Sequence, residues 1–353
     1  PFQVTQPNSS GVNWEPGTTE TVLWHVGNSD QAPISCSTVN IDLSLDAGLT
    51  YPTNLATAVL NDGSHDIAVP ALNTGAARVR VACASLPDHF FFDMSDADFP
   101  IQPDPATCVT DTVVRNFADS GNCSLRASVA YAETNGPGLT VTFAPELAGS
   151  TITLASEIAI ASSLTIDGED RAITISGGDS TRVFLVNSGT VVFDSLTIAN
   201  GDSGRGHGAG LFVASSADVT ITHSTIEHNR ANQGGGAGIA NNGGTVNLLY
   251  SALDDNNGRS AVGIFNTNSG TMTIDHSTVS NNSGTSSGGG IKNEANSQLT
   301  ITNSTVSGNS AHWVGGIDNV GGATLTMINS TLADNSNQVA LGGGIHNNGS
   351  TLN

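Results

Sequence analysis

Lysine is almost missing from this chain of 353 residues: Lys292 is its one instance, and lysine plus arginine number 10 against 31 aspartates and glutamates. The net charge of −21 is the wrong sign for a protein that grips nucleic acid or an anionic membrane. Charged residues of both signs make up only 12% of the chain, about half the share usual in soluble domains. No apolar run approaches the roughly 18 residues that a bilayer-spanning helix needs. No C-x-x-C, C-x-x-C-H or Cys/His metal spacing occurs, and there is no H-E-x-x-H of a zinc peptidase. What remains is abundant glycine, 41 residues, and a hydrophobic share of 37%, too high for an acidic disordered chain. The aliphatics recur in short regular runs, so the sequence reads as all-β.

The chain opens Pro1-Phe2-Gln3-Val4 with no charged-then-apolar leader, which reads as a mature form from which a leader has been removed. Its four cysteines, Cys36, Cys83, Cys108 and Cys123, permit three pairings. Pairing within each segment, Cys36 with Cys83 and Cys108 with Cys123, is the most natural of them. Closing the shorter loop would stabilise the fold by about 3 kcal/mol. Oxidised cysteines and an acidic, lysine-poor surface favour an extracellular or cell-surface location.

Residues 1–102 alternate with period two. Val22, Trp24 and Val26 share one face; Val39, Ile41, Leu43 and Leu45 repeat the pattern, as do Ile67 with Val69 and Val79 with Val81 and Cys83. Such strands, punctuated by Gly, Pro and Asn, predict a two-sheet β-sandwich. The stretches PFQVTQPN, GVNWEPGTTETVLWHVGN, DLSLDAGLTYP and FFFDMSDADFPI resemble the immunoglobulin-like accessory domain found beside secreted bacterial metallopeptidases and surface proteins. That resemblance implies an accessory module without an active site. Pro103 and Pro105 mark a linker, and residues 103–140 hold the linker and one capping helix. Asn122 or Ser124 can cap that helix, with Leu125, Val129 and Ala132 on its buried face. CSLRASVAYAE followed by GLTVTF is similar to the Cys-Ser-Leu-Arg-Glu-Ala-Ile opening of bacterial surface β-helix proteins, a group that includes polymorphic outer-membrane-type repeats. Ala127 stands where that motif has Glu, so a cap made by that carboxylate is missing. A right-handed solenoid is what this resemblance and the rule for parallel crossovers imply.

From Val219 onward the sequence repeats itself. Val219, Val246, Met272, Leu299, Leu325 and Leu352 are spaced by 27, 26, 27, 26 and 27 residues. Ser224, Ser251, Ser277, Ser304 and Ser330 follow in register, then Ile226, Leu253, Val279, Val306 and Leu332. One asparagine column runs Asn229, Asn256, Asn282, Asn309, Asn335, and a second Asn241, Asn266, Asn293, Asn319, Asn347. Several short strands per unit at this period predict a parallel β-helix over residues 141–353. Like residues then lie over like at about 4.8 Å, and inward amides can form ladders at the bends. The last repeat breaks off at Leu352-Asn353 without a capping element, and solenoids need caps. An uncapped C-terminal end would be covered by further chain or by another molecule, which suits a homo-oligomer or filament built head to tail.

Catalytic candidates are few. Glu227, His228, Asp254 and Asp255 hold matching positions in successive coils and could form an acid/base pair or share a cation. Lys292, Asp318 and His346 form a second column, a base beside a carboxylate or a surface charge ladder. His223 and His276 share a column two coils apart, with Tyr250 between them, too far for one metal. IDGEDR (Ile166 to Arg171) and DADF (Asp96 to Phe99) could each wrap a structural Ca²⁺, without matching EF-hand spacing; no other cofactor is implied. Tyr250, Phe265 and Trp313 could offer stacking faces for sugars. The repeats favour a non-enzymatic extracellular scaffold, adhesin or filament subunit. The alternatives are a polysaccharide lyase or glycosidase, and a surface module that binds carbohydrate.

Overall fold

The computed structural model describes residues 1–85, 91–103, 108–339 and 342–353. Phe90, Pro105 and Leu341, each within a stretch considered above, lie outside the described residues. The chain divides into two compact units, Pro1–Cys108 and Val109–Asn353.

The first unit is a pair of antiparallel sheets around one core. Gln3–Gln6, Thr19–His25 and Ser64–Ala68 form one sheet. Thr53–Leu60, Thr38–Ser44, Thr74–Cys83 and Phe92–Met94 form the other, with Phe99–Ile101 pairing the start of Thr74–Cys83. The alternating residues point inward as their period requires: Val22 and Trp24 meet Val39, Ile41, Leu43, Val79 and Val81, all buried. Trp14 packs edge-on against Phe99 at 4.8 Å. Trp24 Nε1 donates to Asn61 Oδ1 at 2.8 Å, and Asn61 Nδ2 donates to Ser29 Oγ and to the Cys36 carbonyl, whereas the buried Trp14 Nε1 has no hydrogen-bond partner among the described residues. Cys36 is bonded to Cys83 across a separation of 47 residues, which restricts the unfolded chain by about 4 kcal/mol. Cys108 and Cys123 are also disulfide-bonded and no cysteine is free, as the segment-wise pairing requires.

The second unit opens with a short strand, Val113–Val114, followed by the one α-helix among the described residues, Leu125–Asn135. Ser124 is the cap: its hydroxyl accepts from the Ala127 amide, so the turn closes without the carboxylate that Ala127 replaces. Leu125, Val129 and Ala132 are buried against the first coils. Everything after it is a parallel solenoid. One long sheet carries two strands of each coil, for example Ile239–Asn242 and Thr245–Leu249. A second sheet stacks Ala252–Asp254 on Thr278–Ser280, and a third stacks Asn257–Ser260 on Ser283–Gly284. The register is residue on equivalent residue: Val246 pairs with Met272, Met272 with Leu299, Leu299 with Leu325. The interior is therefore four aliphatic columns, including Ile239, Ile264, Ile291 and Ile317, all fully buried. The earlier coils are filled by larger rings, Phe143, Phe184 and Phe193, the last two 4.7 Å apart.

The polar repeats fall where the chain turns: the first asparagine column lies between strands, the second toward strand ends such as Asn241 and Asn266. Asn256 is buried, and every polar atom of its side chain is used. Its Nδ2 donates to Asn282 Oδ1 at 2.9 Å and to the carbonyls of Ile226 and Asp254 at 3.0 Å each. Its Oδ1 accepts from the Asn229 amide and from Asn229 Nδ2. The second ladder works alike: Asn266 Nδ2 donates to Asn293 Oδ1 at 2.8 Å, and Asn293 Nδ2 to Asn319 Oδ1 at 2.8 Å. The serine column caps the remaining bend, Ser251 Oγ accepting from Ser224 N at 3.1 Å and donating to the Leu249 carbonyl. At the fourth corner a glycine is required by close approach: a Cβ on Gly263 would lie 2.4 Å from the Gly290 carbonyl oxygen of the next coil.

Two expectations follow. Asn256→Ala removes a partner from three backbone groups and two neighbouring side-chain amides, so it destabilises the solenoid by about 3 kcal/mol or more. Asn335→Ala, at a half-buried position with fewer partners, costs less than half as much. Chemical denaturation of the two variants measures both; equal effects would contradict the ladder. In the first unit, Asp46 accepts from Ser44 Oγ, and from Thr50 N and Oγ, which lowers its pKa to about 2. Its contribution is thus present above the ordinary carboxylate range and is lost as pH falls toward 2. Asp46→Asn flattens that part of the stability–pH curve, which a melting series from pH 5 to 2 reads directly.

Candidate functional site

The second sheet does bring the acidic candidates together. Glu227 is the register partner of Asp254. His228 Nε2 lies 3.3 Å from Asp255 Oδ2, and His228 Nδ1 lies 3.7 Å from Glu227 Oε1. Asp254 is already engaged: its Oδ1 accepts from Ser280 Oγ at 2.6 Å and from Asn281 Nδ2 at 2.9 Å. The backbone accounts for two of these residues. His228, Asp255, Asn281, Gly308 and Asp334 each precede a ladder asparagine, and all sit at φ between +48° and +65°. That left-handed conformation selects Gly, Asn, Asp and His. His228 and Asp255 therefore have a structural reason to be there, independent of any chemistry. Among the described residues no group of three or more His, Cys, Asp or Glu is arranged to hold a metal ion.

The same rule governs the neighbouring bend, where His223, Tyr250, His276, Asn303 and Asn329 all lie at φ between +47° and +50°. Tyr250 is the exception in kind, a bulky ring in a conformation it disfavours. It is sandwiched between His223 and His276, with ring centroids at 5.6 and 5.0 Å. Asp275 beside His276 is held below the usual carboxylate range, chiefly by the hydrogen bond from that imidazole at 3.0 Å. The loops considered for calcium are internally tied. Glu169 pairs with Arg171, and Asp167 Oδ1 accepts from the Glu169 amide. Asp96 exchanges two hydrogen bonds with Asn8, and Asp98 pairs with Arg78.

The outward column of the long sheet lines a concavity at one end. Its residues on successive coils are Phe212, Ala240, Phe265, Lys292, Asp318 and His346. The charged end does not form one ladder. Lys292 Nζ pairs with Glu294 on its own coil at 2.6 Å and lies 5.8 Å over the Phe265 ring. Asp318, nearly buried, accepts from Ser287 Oγ at 2.6 Å and meets His346 Nδ1 at 2.8 Å. The aromatic end lines a cleft of about 330 Å³ with His207, Phe212, Ala240 and Phe265. Asn242, Thr267 and Asn268 complete its polar end.

The cleft is built, not fortuitous. His207 comes from the bend between Gly201 and Gly210, and its ring lies 5.4 Å from that of Phe265. The Gly235 amide donates to His207 Nδ1 at 2.8 Å, so a neutral His207 carries its proton on Nε2. Gly235 must be glycine here, because a Cβ would sit 2.9 Å from Phe265 Cδ1. Phe265 thus joins a cleft with His207 and Phe212, whereas Tyr250 stands in its histidine stack and Trp313 packs edge-on against His312. His207, Phe212, Ala240 and Asn242 carry no motif. The large–small–large order of Phe212, Ala240 and Phe265 at one repeat position is the only sequence signal that could have found them.

No curated protein and no solved structure matches this chain. A family described as "Right handed beta helix region" matches residues 162–351, just over half of the chain. That span covers the parallel coils after the first and both asparagine ladders, and the chain belongs to the right-handed β-helix family.

Proposed function

We propose that this protein is an extracellular, non-enzymatic structural scaffold of a cell surface. One observation carries the reading: inward polar side chains at each bend are spent on the adjacent coil, as Asn229, Asn256, Asn282 and Asn309 show. Such a repeat gains rigidity and length with every added coil. Catalysis would require one coil to depart from the others in a focused way, whereas His228 and Asp255 follow the backbone rule of their column. Disulfides in the first unit and at Cys123 support an oxidising location. Head-to-tail addition of subunits is the assembled form of this reading.

β-Helices also serve polysaccharide-degrading enzymes, and here Glu227 and Asp254 are the pair such an activity would use. The decisive assay incubates the intact chain with neutral and acidic polysaccharides and follows reducing ends and unsaturated uronate absorbance. The scaffold reading predicts no turnover by the intact chain and no difference in Asp254→Asn. Turnover abolished by that substitution overturns it. Sedimentation over a wide concentration range tests the assembled form, which predicts open-ended growth of the sedimenting species; a single monomeric species throughout contradicts it.

A further inference from the structure

We infer that the cleft over Ala240 is a binding site for an uncharged sugar ring. The inference does not depend on the scaffold reading and survives its failure. Its walls are aromatic, Phe212, Phe265 and His207, and its floor is the methyl group of Ala240. At about 330 Å³ it lies at the small end of ligand sites. A pyranose presents a face of C–H bonds, with weakly positive hydrogens, to the negative face of a phenyl ring. Its rim of hydroxyls then needs donors and acceptors in a row, and the cleft supplies both.

Asn268 Nδ2 donates to Asn242 Oδ1 at 2.5 Å, which orients the two amides head to tail. This leaves the Asn242 amide group as a donor and the Asn268 carbonyl as an acceptor, neither bonded to protein among the described residues. The Thr267 hydroxyl is likewise without a protein partner among the described residues, and His207 Nε2–H adds a donor on the aromatic side. Hydroxyl groups, able to give and accept, match this set; a purely apolar ligand would leave it unpaired.

Charge settles the kind of sugar. The two cations that border the rings are both spoken for. Arg182, 5.4 Å over Phe212, is paired with Glu157 and donates to the carbonyls of His207 and Gly208. Lys292, over Phe265, is paired with Glu294. Among the described residues neither cation stacked on the cleft's rings is left unpaired, and in a chain of net charge −21 a uronate would be repelled rather than held. The occupant is a neutral hexose or pentose unit, free or within a glycan.

The test is calorimetric titration and saturation-transfer NMR of the intact chain with cellotriose, maltotriose, mannotriose and xylotriose, and with trigalacturonic acid as the charged counterpart. At least one neutral trisaccharide binds with a millimolar or tighter Kd and one site per chain, and the acid binds at least about tenfold more weakly. Asn268→Ala, on the exposed rim, weakens binding about fivefold or more. Ala240→Leu, which fills the floor, weakens it at least about tenfold, with circular-dichroism melting to show that the coils remain intact. Tyr250→Ala, in a different column, leaves binding unchanged. The inference is overturned if no neutral trisaccharide binds at about 10 mM. It is also overturned if the acid binds as tightly as the best neutral sugar, or if affinity is the same in Asn268→Ala and in a folded Ala240→Leu.

Discussion

The hydrogen bond from one asparagine side chain to the same asparagine one coil away is the interaction on which this solenoid rests. A buried amide has two donors and an acceptor that must all be paired, and a bend offers few backbone partners. Asn256 meets the demand only when Asn229 and Asn282 lie directly above and below it. A slip of one residue would turn the aliphatic columns outward as well as break the amide chain. Hydrophobic burial drives the collapse, and the ladders decide which collapsed arrangement is unique. The third bend obeys the same logic with serine, and the fourth with glycine, where the next coil's carbonyl occupies the space of a side chain.

The outer surface inherits its character from those bends. The residue before each ladder asparagine must adopt a left-handed backbone, which draws histidine, aspartate and asparagine onto the surface whether or not chemistry needs them. An acidic cluster such as His228 with Asp255 is then a by-product of chain direction. The cleft at Phe212, Ala240 and Phe265 differs in this respect. No backbone demand places a phenyl ring at an outward strand position, and Gly235 is shaped to admit one.

Much of this architecture was legible in the sequence, because a repeat writes its own register. The spacing of Val219 to Leu352 gave the coil length, and the two asparagine columns gave the bends. The alternation of Val22 with Trp24, and of Val39 with Ile41 and Leu43, gave the sheets of the first unit. Ser124 was legible as a cap from its place before Leu125. The cleft was not, since it joins three coils to a loop. His207 lies in a bend before the regular repeat begins at Val219, and its partnership with Gly235, one coil on, carries no motif. The charge column was legible in its positions and in the contact of Asp318 with His346, but not in the partner of Lys292. Lys292 reaches Glu294 on its own coil rather than Asp318 across the sheet, because a long flexible side chain finds the shorter path.

The central claim is that adjacent rungs of a ladder are energetically coupled and that distant rungs are not. A double-mutant cycle between Asn256 and Asn282, both replaced by Ala and followed by denaturant unfolding, measures the coupling directly. The account predicts a coupling of about 1 kcal/mol or more for this adjacent pair, and additivity within about 0.5 kcal/mol for Asn256 with Asn335, three coils apart. Additive losses at Asn256 and Asn282 would contradict it.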